Sequence, residues 1–257
     1  MVPAFGVEII AHRGASHDAP ENTLASVNLA WTQQADAVEI DIYLTADAKI
    51  VAIHDKTTKR TAGGIDKPVV EQTLAELQRL DAGSWKSPKY AGERIPTLAE
   101  ILRTIPDGKR LFIEIKAGPE IVPELKRVLQ QGGKSPAQTP VIGFSYETVQ
   151  AAKRALPELK VYWLAELKRD KETGRLNHTA AELIQKTKQS NLDGLDLGHT
   201  PPLTADFVRE IKDAGLPLFV WTVNDVDKAR EYRDLGIDGI TTDRPALLRE
   251  AFQTKLK

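Results

Sequence analysis

Short apolar runs alternate with helical repeats along this chain, and the number of alternations restricts the folds open to it. Val7 to Ala11 is the first run, ending at His12-Arg13-Gly14. Pro20-Glu21-Asn22-Thr23 then opens a helix in which Leu24, Val27 and Trp31 recur at helical spacing. Ala37 to Leu44 reads as the second strand, and a turn near Asp47 leads to a return strand ending in His54-Asp55. Six further strands are expected at Leu111 to Lys116, Val141 to Ser145, Val161 to Ala165, Gly194 to Gly198, Leu218 to Val223 and Gly239 to Thr242. Helices are expected at Ile121 to Gln131, Tyr146 to Leu156, Thr179 to Gln189, Thr204 to Ala214, Val226 to Leu235 and Ala246 to Lys255. Eight strands alternating with helices close a (β/α)8 TIM barrel, an α/β fold. A doubly wound open sheet shares this rhythm, but no Gly-x-Gly-x-x-Gly loop follows the first strand.

One domain over residues 1–257 is expected, because 257 residues with 41% hydrophobic content suit a single large core. The rhythm stops over residues 56–94. Thr57 to Gly64 is loop-like and Leu74 to Leu80 allows one short helix, so this stretch reads as a small insertion after the second strand and its hairpin return. It ends at Ile95-Pro96-Thr97, where Thr97 is a suitable N-cap for a helix running to Ile105.

Thirty-five basic and 36 acidic residues leave a net charge of -1, which gives no electrostatic case for nucleic acid or an anionic membrane as partner. Phosphate recognition would have to be local, and the expected partner is a small molecule. No cysteine is present, so thiol nucleophiles, disulfides and thiolate metal sites are excluded. The N-terminus lacks a basic segment followed by an apolar one, and no apolar run reaches membrane-spanning length. A chain without stable membrane insertion is expected, cytoplasmic as it stands, or periplasmic or secreted if a signal peptide has been removed.

Chemistry concentrates at the strand ends. Glu39 and Asp41 alternate along one strand and must share a face. A turn centred near Asp47 is expected to set His54 roughly opposite Asp41 on that face. Glu114 and Lys116 form a second alternating pair on the next strand, so three carboxylates converge at one barrel mouth. Oxygen ligands without thiolate suit a hard divalent cation, Mg²⁺ or Ca²⁺. The competing reading makes Glu39 and Glu114 buried ion-pair partners of Arg13 and Lys116. His12 and His54 are the candidate proton-transfer groups, and Arg13 and Lys116 suit an anionic, phosphate-bearing substrate. His17, His178 and His199 have weaker cases. Ser145, Trp163 and Trp221 are possible pocket contacts, with Asn224 beside the last of these.

These segments together resemble the glycerophosphodiester phosphodiesterase family. The resemblance runs in order through His12 to Ser16, Ala19 to Thr23, Val38 to Thr45, Ile53 to Asp55, Arg60-Thr61, Leu80 to Trp85, Ile95 to Leu98, Phe112 to Lys116, Phe144-Ser145, Trp221 to Asn224 and Thr242-Asp243. It implies a TIM barrel with a small insertion after the His-Asp segment. It also implies a divalent cation at Glu39, Asp41 and Glu114, with His12 and His54 as acid and base and Arg13 and Lys116 around the phosphate. Hydrolysis to glycerol 3-phosphate and an alcohol follows, with the glycerol 2-hydroxyl attacking first to give a cyclic phosphate. His17 and the segment Asp196-Leu-Gly-His199 depart from the commoner pattern. Two alternatives keep the barrel: a phosphodiesterase acting on lysophospholipids, and a metal- or phosphate-binding barrel without turnover.

Overall fold

Strands covered on both faces read as nearly unbroken apolar runs, and the strands here are buried almost throughout. The computed structural model describes residues 6–64 and 66–253. The strands are β1 (Glu8–Ala11), β2 (Ala37–Leu44), β3 (Ile50–Ala52), β4 (Arg110–Ile115), β5 (Val141–Gly143), β6 (Val161–Ala165), β7 (Gly194–Gly198), β8 (Leu218–Trp221) and β9 (Gly239–Thr242). Parallel pairing runs β1-β9-β8-β7-β6-β5-β4-β2, and β1 pairs with β2 to close the ring. This is the eight-stranded α/β barrel, with β3 as an extra antiparallel strand on β2.

The helices are α1 (Leu24–Thr32), α2 (Leu74–Leu77), α3 (Leu98–Thr104), α4 (Val122–Gly132), α5 (Tyr146–Ala155), α6 (Ala180–Gln189), α7 (Ala205–Asp213), α8 (Val226–Asp234) and α9 (Pro245–Gln253). Thr97 caps α3, its Oγ1 accepting from the Glu100 N–H at 3.2 Å while Glu100 answers to the Thr97 N–H at 2.8 Å. Helix α2 is shorter than expected, because its single turn ends at Gln78. Residues 254 and 255 of the last expected helix lie outside the described residues. Among the described residues no helix is long and apolar enough to cross a membrane.

Among the described residues, 56–94 carry α2 and no barrel strand. Ala62, Val69, Leu77 and Ala82 from this stretch bury themselves against Tyr43, Val51 and Ile53 of the hairpin, forming a small cluster of their own. Deep in the barrel, Phe112, Tyr162 and Phe219 pack with ring centroids 4.8–6.1 Å apart. Below them the Arg110 guanidinium pairs with Glu8 and lies over the Phe112 ring at 4.7 Å. Side chains therefore fill the N-terminal end of the barrel.

One register expectation is corrected. Ile42 pairs with Ala52, Tyr43 with Val51 and Leu44 with Ile50, and the Ile53 N–H donates to the Asp41 carbonyl at 3.1 Å. Asp41 thus faces Ile53 rather than His54. The turn is centred on Asp47, so the count places the opposite residue one position earlier, and His54 lies beyond the end of β3.

Candidate active site

Alternation on β2 sends both Glu39 and Asp41 into the barrel mouth, and the parallel register sets Glu114 of β4 directly beside Asp41. Each of the three offers one oxygen within 4.8 Å of the others. All are buried, with exposures of 2%, 0% and 8% for Glu39, Asp41 and Glu114. Three acids so close and so dry cannot all hold charge without positive compensation.

Part of that compensation comes from the protein. The Arg13 N–H donates to Glu39 Oε2 at 2.9 Å, and its guanidinium reaches Glu21 Oε1 at 2.9 Å and Asp41 Oδ2 at 3.2 Å. Lys116 Nζ donates to Glu114 Oε1 at 2.8 Å and lies 3.5 Å from Asp41 Oδ1. Asn22 grips Asp41 from both sides, donating to Oδ2 at 2.8 Å and accepting from its N–H at 3.0 Å. Arg13 and Asn22 both adopt left-handed backbone conformations, φ 54° and 58°, which aims them at the acids. Gly14 must be glycine: φ is +80°, and a Cβ there would stand 2.5 Å from Ser26.

The ion pairs leave a remainder. Glu39 Oε1 and Asp41 Oδ1 are buried with no hydrogen-bond partner among the described residues. Burial, then the Asp41 and Glu114 charges, raise the Glu39 carboxyl well above the usual range. Burial and Asp41 raise Glu114 to about 7 against the pull of Lys116. Burial would raise Asp41 too, but Arg13 and Lys116 outweigh it and leave that carboxyl low. An orphaned oxygen on two of three clustered carboxylates, with two of the three held high, fits the donor set of a hard divalent cation.

Each predicted histidine has an aspartate behind it. His12 Nδ1 lies 2.7 Å from Asp243 Oδ1, and Asp243 also accepts from Ser16 Oγ at 2.9 Å and Asn224 Nδ2 at 2.6 Å. His54 Nδ1 lies 2.7 Å from Asp55 Oδ1, and Arg60 donates to both oxygens of Asp55 at 2.7 and 2.8 Å. Arg60 makes a second pair of bonds to Glu21, each 2.8 Å, so Arg13, Glu21, Arg60, Asp55 and His54 form one continuous chain. A carboxylate at Nδ1 holds the proton there and leaves Nε2 as the reactive nitrogen. Burial, with Arg13 and Lys116 adding, lowers the His54 pKa despite the opposing Asp41 and Asp55 charges.

His12, His54, Arg13, Lys116, Glu39 and Glu114 all line one cavity of ≈ 170 Å³. A second, more open space of ≈ 500 Å³ lies outside it, bordered by Trp85, Lys86, His17, Asn224 and Arg244. Of the possible pocket contacts, Trp221 borders the inner cavity and meets Phe144 edge to face at 5.4 Å. Trp163 instead packs outward against Tyr146, with centroids 4.9 Å apart, and His178 leans on its edge. Ser145 caps α5, its Oγ accepting from the Thr148 N–H at 3.2 Å. The His199 ring packs edge to face against Tyr232 and is not among the residues lining either cavity.

Residue-by-residue reading missed the supports: Glu21, Asn22, Asp55, Arg60, Asp196 and Asp243. Asp243 carries the same signal that marks Glu114, a polar residue at the C-terminal end of a barrel strand. Asp196, on β7, is buried and lines the inner cavity. Burial first, then Glu114, raise its carboxyl well above the usual range.

The sequence profile described as "Glycerophosphoryl diester phosphodiesterase family" matches residues 12–247. The YhdW protein of Bacillus subtilis is 38% identical over 240 residues, spanning 92% of this chain and 94% of its own. The glycerophosphodiester phosphodiesterase of Caldanaerobacter subterraneus subsp. tengcongensis is 34% identical, spanning 93% of this chain and 95% of its own. Among solved structures, an Oleispira antarctica phosphodiesterase in complex with the product sn-glycerol-3-phosphate superposes with a TM-score of 0.86 at 30% identity, covering 96% of this chain and 97% of that one. A profile matched over nearly the whole chain, relatives matched over nearly their whole length and a shared barrel lead to one conclusion: this chain belongs to the glycerophosphoryl diester phosphodiesterase family of enzymes.

Proposed function

We propose that this enzyme hydrolyses glycerophosphodiesters to glycerol 3-phosphate and an alcohol by two-histidine acid/base catalysis, with a divalent cation, Mg²⁺ or Ca²⁺, held by Glu39, Asp41 and Glu114. The observation that carries this reading is the pair of Asp-backed histidines, His12 with Asp243 and His54 with Asp55, opening onto one cavity with Arg13 and Lys116. The bound cation would neutralise charge that builds on the phosphoryl oxygens. Arg13 and Lys116 do the same from fixed positions, without reorganising during the reaction.

His54, kept neutral by burial, accepts the proton of the glycerol 2-hydroxyl at Nε2 as that oxygen attacks phosphorus. His12 gives a proton from Nε2 to the departing alkoxide, while Asp243 holds the ring through Nδ1. The product of this step is a cyclic phosphate. In the second step the roles reverse: His12 takes a proton from water, and His54 returns one to the 2-oxygen.

The test is turnover of glycerophosphocholine, glycerophosphoethanolamine and glycerophosphoglycerol with product identification, with and without chelator. Glycerol 3-phosphate must appear, and each of His12→Ala and His54→Ala must lose roughly 10²- to 10⁴-fold in kcat. Near-wild-type turnover by either variant would remove the two-histidine mechanism. Phosphorylated head group as product would mean that the other P–O bond breaks. Exposed Phe144 and Trp85 at the two cavities favour a second substrate class, lysophospholipids, which the same assay checks directly.

A further inference from the structure

Asp196 sits on β7 with 1% exposure, and its Oδ1 has no hydrogen-bond partner among the described residues. Buried polar atoms are nearly always satisfied, so one that the protein leaves open awaits a group from outside it. Asp196 is also a member of the inner cavity wall, beside Leu164 and Trp221. It is not part of the acidic cluster of Glu39, Asp41 and Glu114. Among the described residues, the charged side chain that acts on it is Glu114, which repels. A hydroxyl, which can both donate and accept, satisfies such an oxygen whether the carboxyl is protonated or not.

The two cavities say which hydroxyl. The inner space is the smaller, ≈ 170 Å³ against ≈ 500 Å³, and more enclosed. A family of substrates with one constant half and one variable half places the constant half in the enclosed space and the variable half in the open one. The constant half of a glycerophosphodiester is glycerol, which has two free hydroxyls. The 2-hydroxyl is committed to the histidines, leaving the terminal one.

We propose that Asp196 is a specificity-determining residue that hydrogen-bonds the terminal hydroxyl of the substrate's glycerol half. This deepens the phosphodiesterase reading above and rests on it. The bond forms in either protonation state, because a carboxylate accepts from the hydroxyl and a carboxylic acid donates to it. Leu164 and Trp221 supply the apolar wall against which the glycerol carbons lie.

The test compares glycerophosphocholine with its propane-1,2-diol analogue, which keeps the 2-hydroxyl and lacks the terminal one. Wild type should prefer glycerophosphocholine by roughly 10²-fold or more in kcat/KM, as expected where a site is built to bond a substrate hydroxyl. Asp196→Ala should bring that ratio to within about 5-fold of unity by losing rate on glycerophosphocholine alone, and Asp196→Asn should restore part of it. A merely structural role would slow both substrates alike and keep the wild-type ratio, and that result overturns the assignment. So does a wild-type enzyme that fails to distinguish the two. Hydrolysis of neither compound by wild type overturns the phosphodiesterase reading together with this one. Asp196→Asn is isosteric and keeps the comparison open should the alanine variant fail to fold, which thermal unfolding of both variants shows.

Discussion

His12 and Asp243 stand 231 positions apart in the chain, yet His12 Nδ1 and Asp243 Oδ1 are 2.7 Å apart. The contact exists because β1 and β9 are neighbours across the seam where the barrel closes. The first and last strands together hold this histidine–aspartate pair.

Removing the charge from that pair should disable it while the fold survives. Asp243→Asn leaves the shape intact but no longer favours a proton on His12 Nδ1 or a charged ring, so kcat should fall by roughly 10²-fold or more with a smaller change in KM. Steady-state kinetics beside a circular dichroism spectrum checks both halves of the expectation.

A leaving group that needs no proton should separate the two histidines. With p-nitrophenol as the alcohol, the departing oxygen is stable as an anion, so His12→Ala should lose far less than it does on glycerophosphocholine. His54→Ala should lose about as much on either substrate, because the 2-hydroxyl must still be deprotonated. Equal losses by both variants on both substrates would reverse or erase the assignment.

Divalent cations should stabilise the protein as well as activate it. At about 100-fold over Kd, a ligand bound only by the folded state adds about 2.7 kcal/mol. In a protein of this size that corresponds to a rise in Tm of roughly 5–10 °C. Calorimetry with chelator, Mg²⁺ and Ca²⁺ reads this directly and ranks the two ions.

The same measurement has a pH signature. In the metal-free protein Glu114 has its pKa raised from 4.5 to about 7, and Glu39 is raised in the same direction. A group whose folded pKa lies above its unfolded value stabilises below the unfolded pKa and loses that contribution as pH rises through the folded one. The part of metal-free stability due to Glu114 should therefore fall between about pH 4.5 and 7. The cation binds the deprotonated acids, so its stabilising increment should grow over the same window. A Tm difference between metal-bound and metal-free protein that stays flat across this range would contradict the cluster as the cation site.

Gly14→Ala should damage folding through geometry alone. The left-handed backbone and the 2.5 Å approach to Ser26 act together, and their combined cost is roughly 2–4 kcal/mol. The variant should melt well below wild type.

The barrel and the acid cluster are legible in the sequence because both rest on local period. Glu39 and Asp41 share a face by alternation, and Glu114 is placed beside them by the pairing of neighbouring strands. What local pattern does not carry is a contact between residues far apart in the chain. Asp243 behind His12, and Glu21 joining Arg13 to Arg60, become visible only when the barrel closes and the insertion folds over its rim. The misplaced partner of Asp41 shows the other limit. A one-residue difference in hairpin counting exchanges His54 for Ile53, and sequence fixes such a count only to within that margin.

The filled floor of the barrel, with Phe112, Tyr162 and Phe219 above the Arg110–Glu8 pair, closes that end, so the cavity opens at the strands' C-terminal ends. Traffic then has an order. With the glycerol half in the inner space, as proposed above, the alcohol in the outer space would depart before the glycerol phosphate beneath it. In kinetic terms that arrangement makes glycerol phosphate the product expected to compete with substrate for the free enzyme, which product-inhibition kinetics checks.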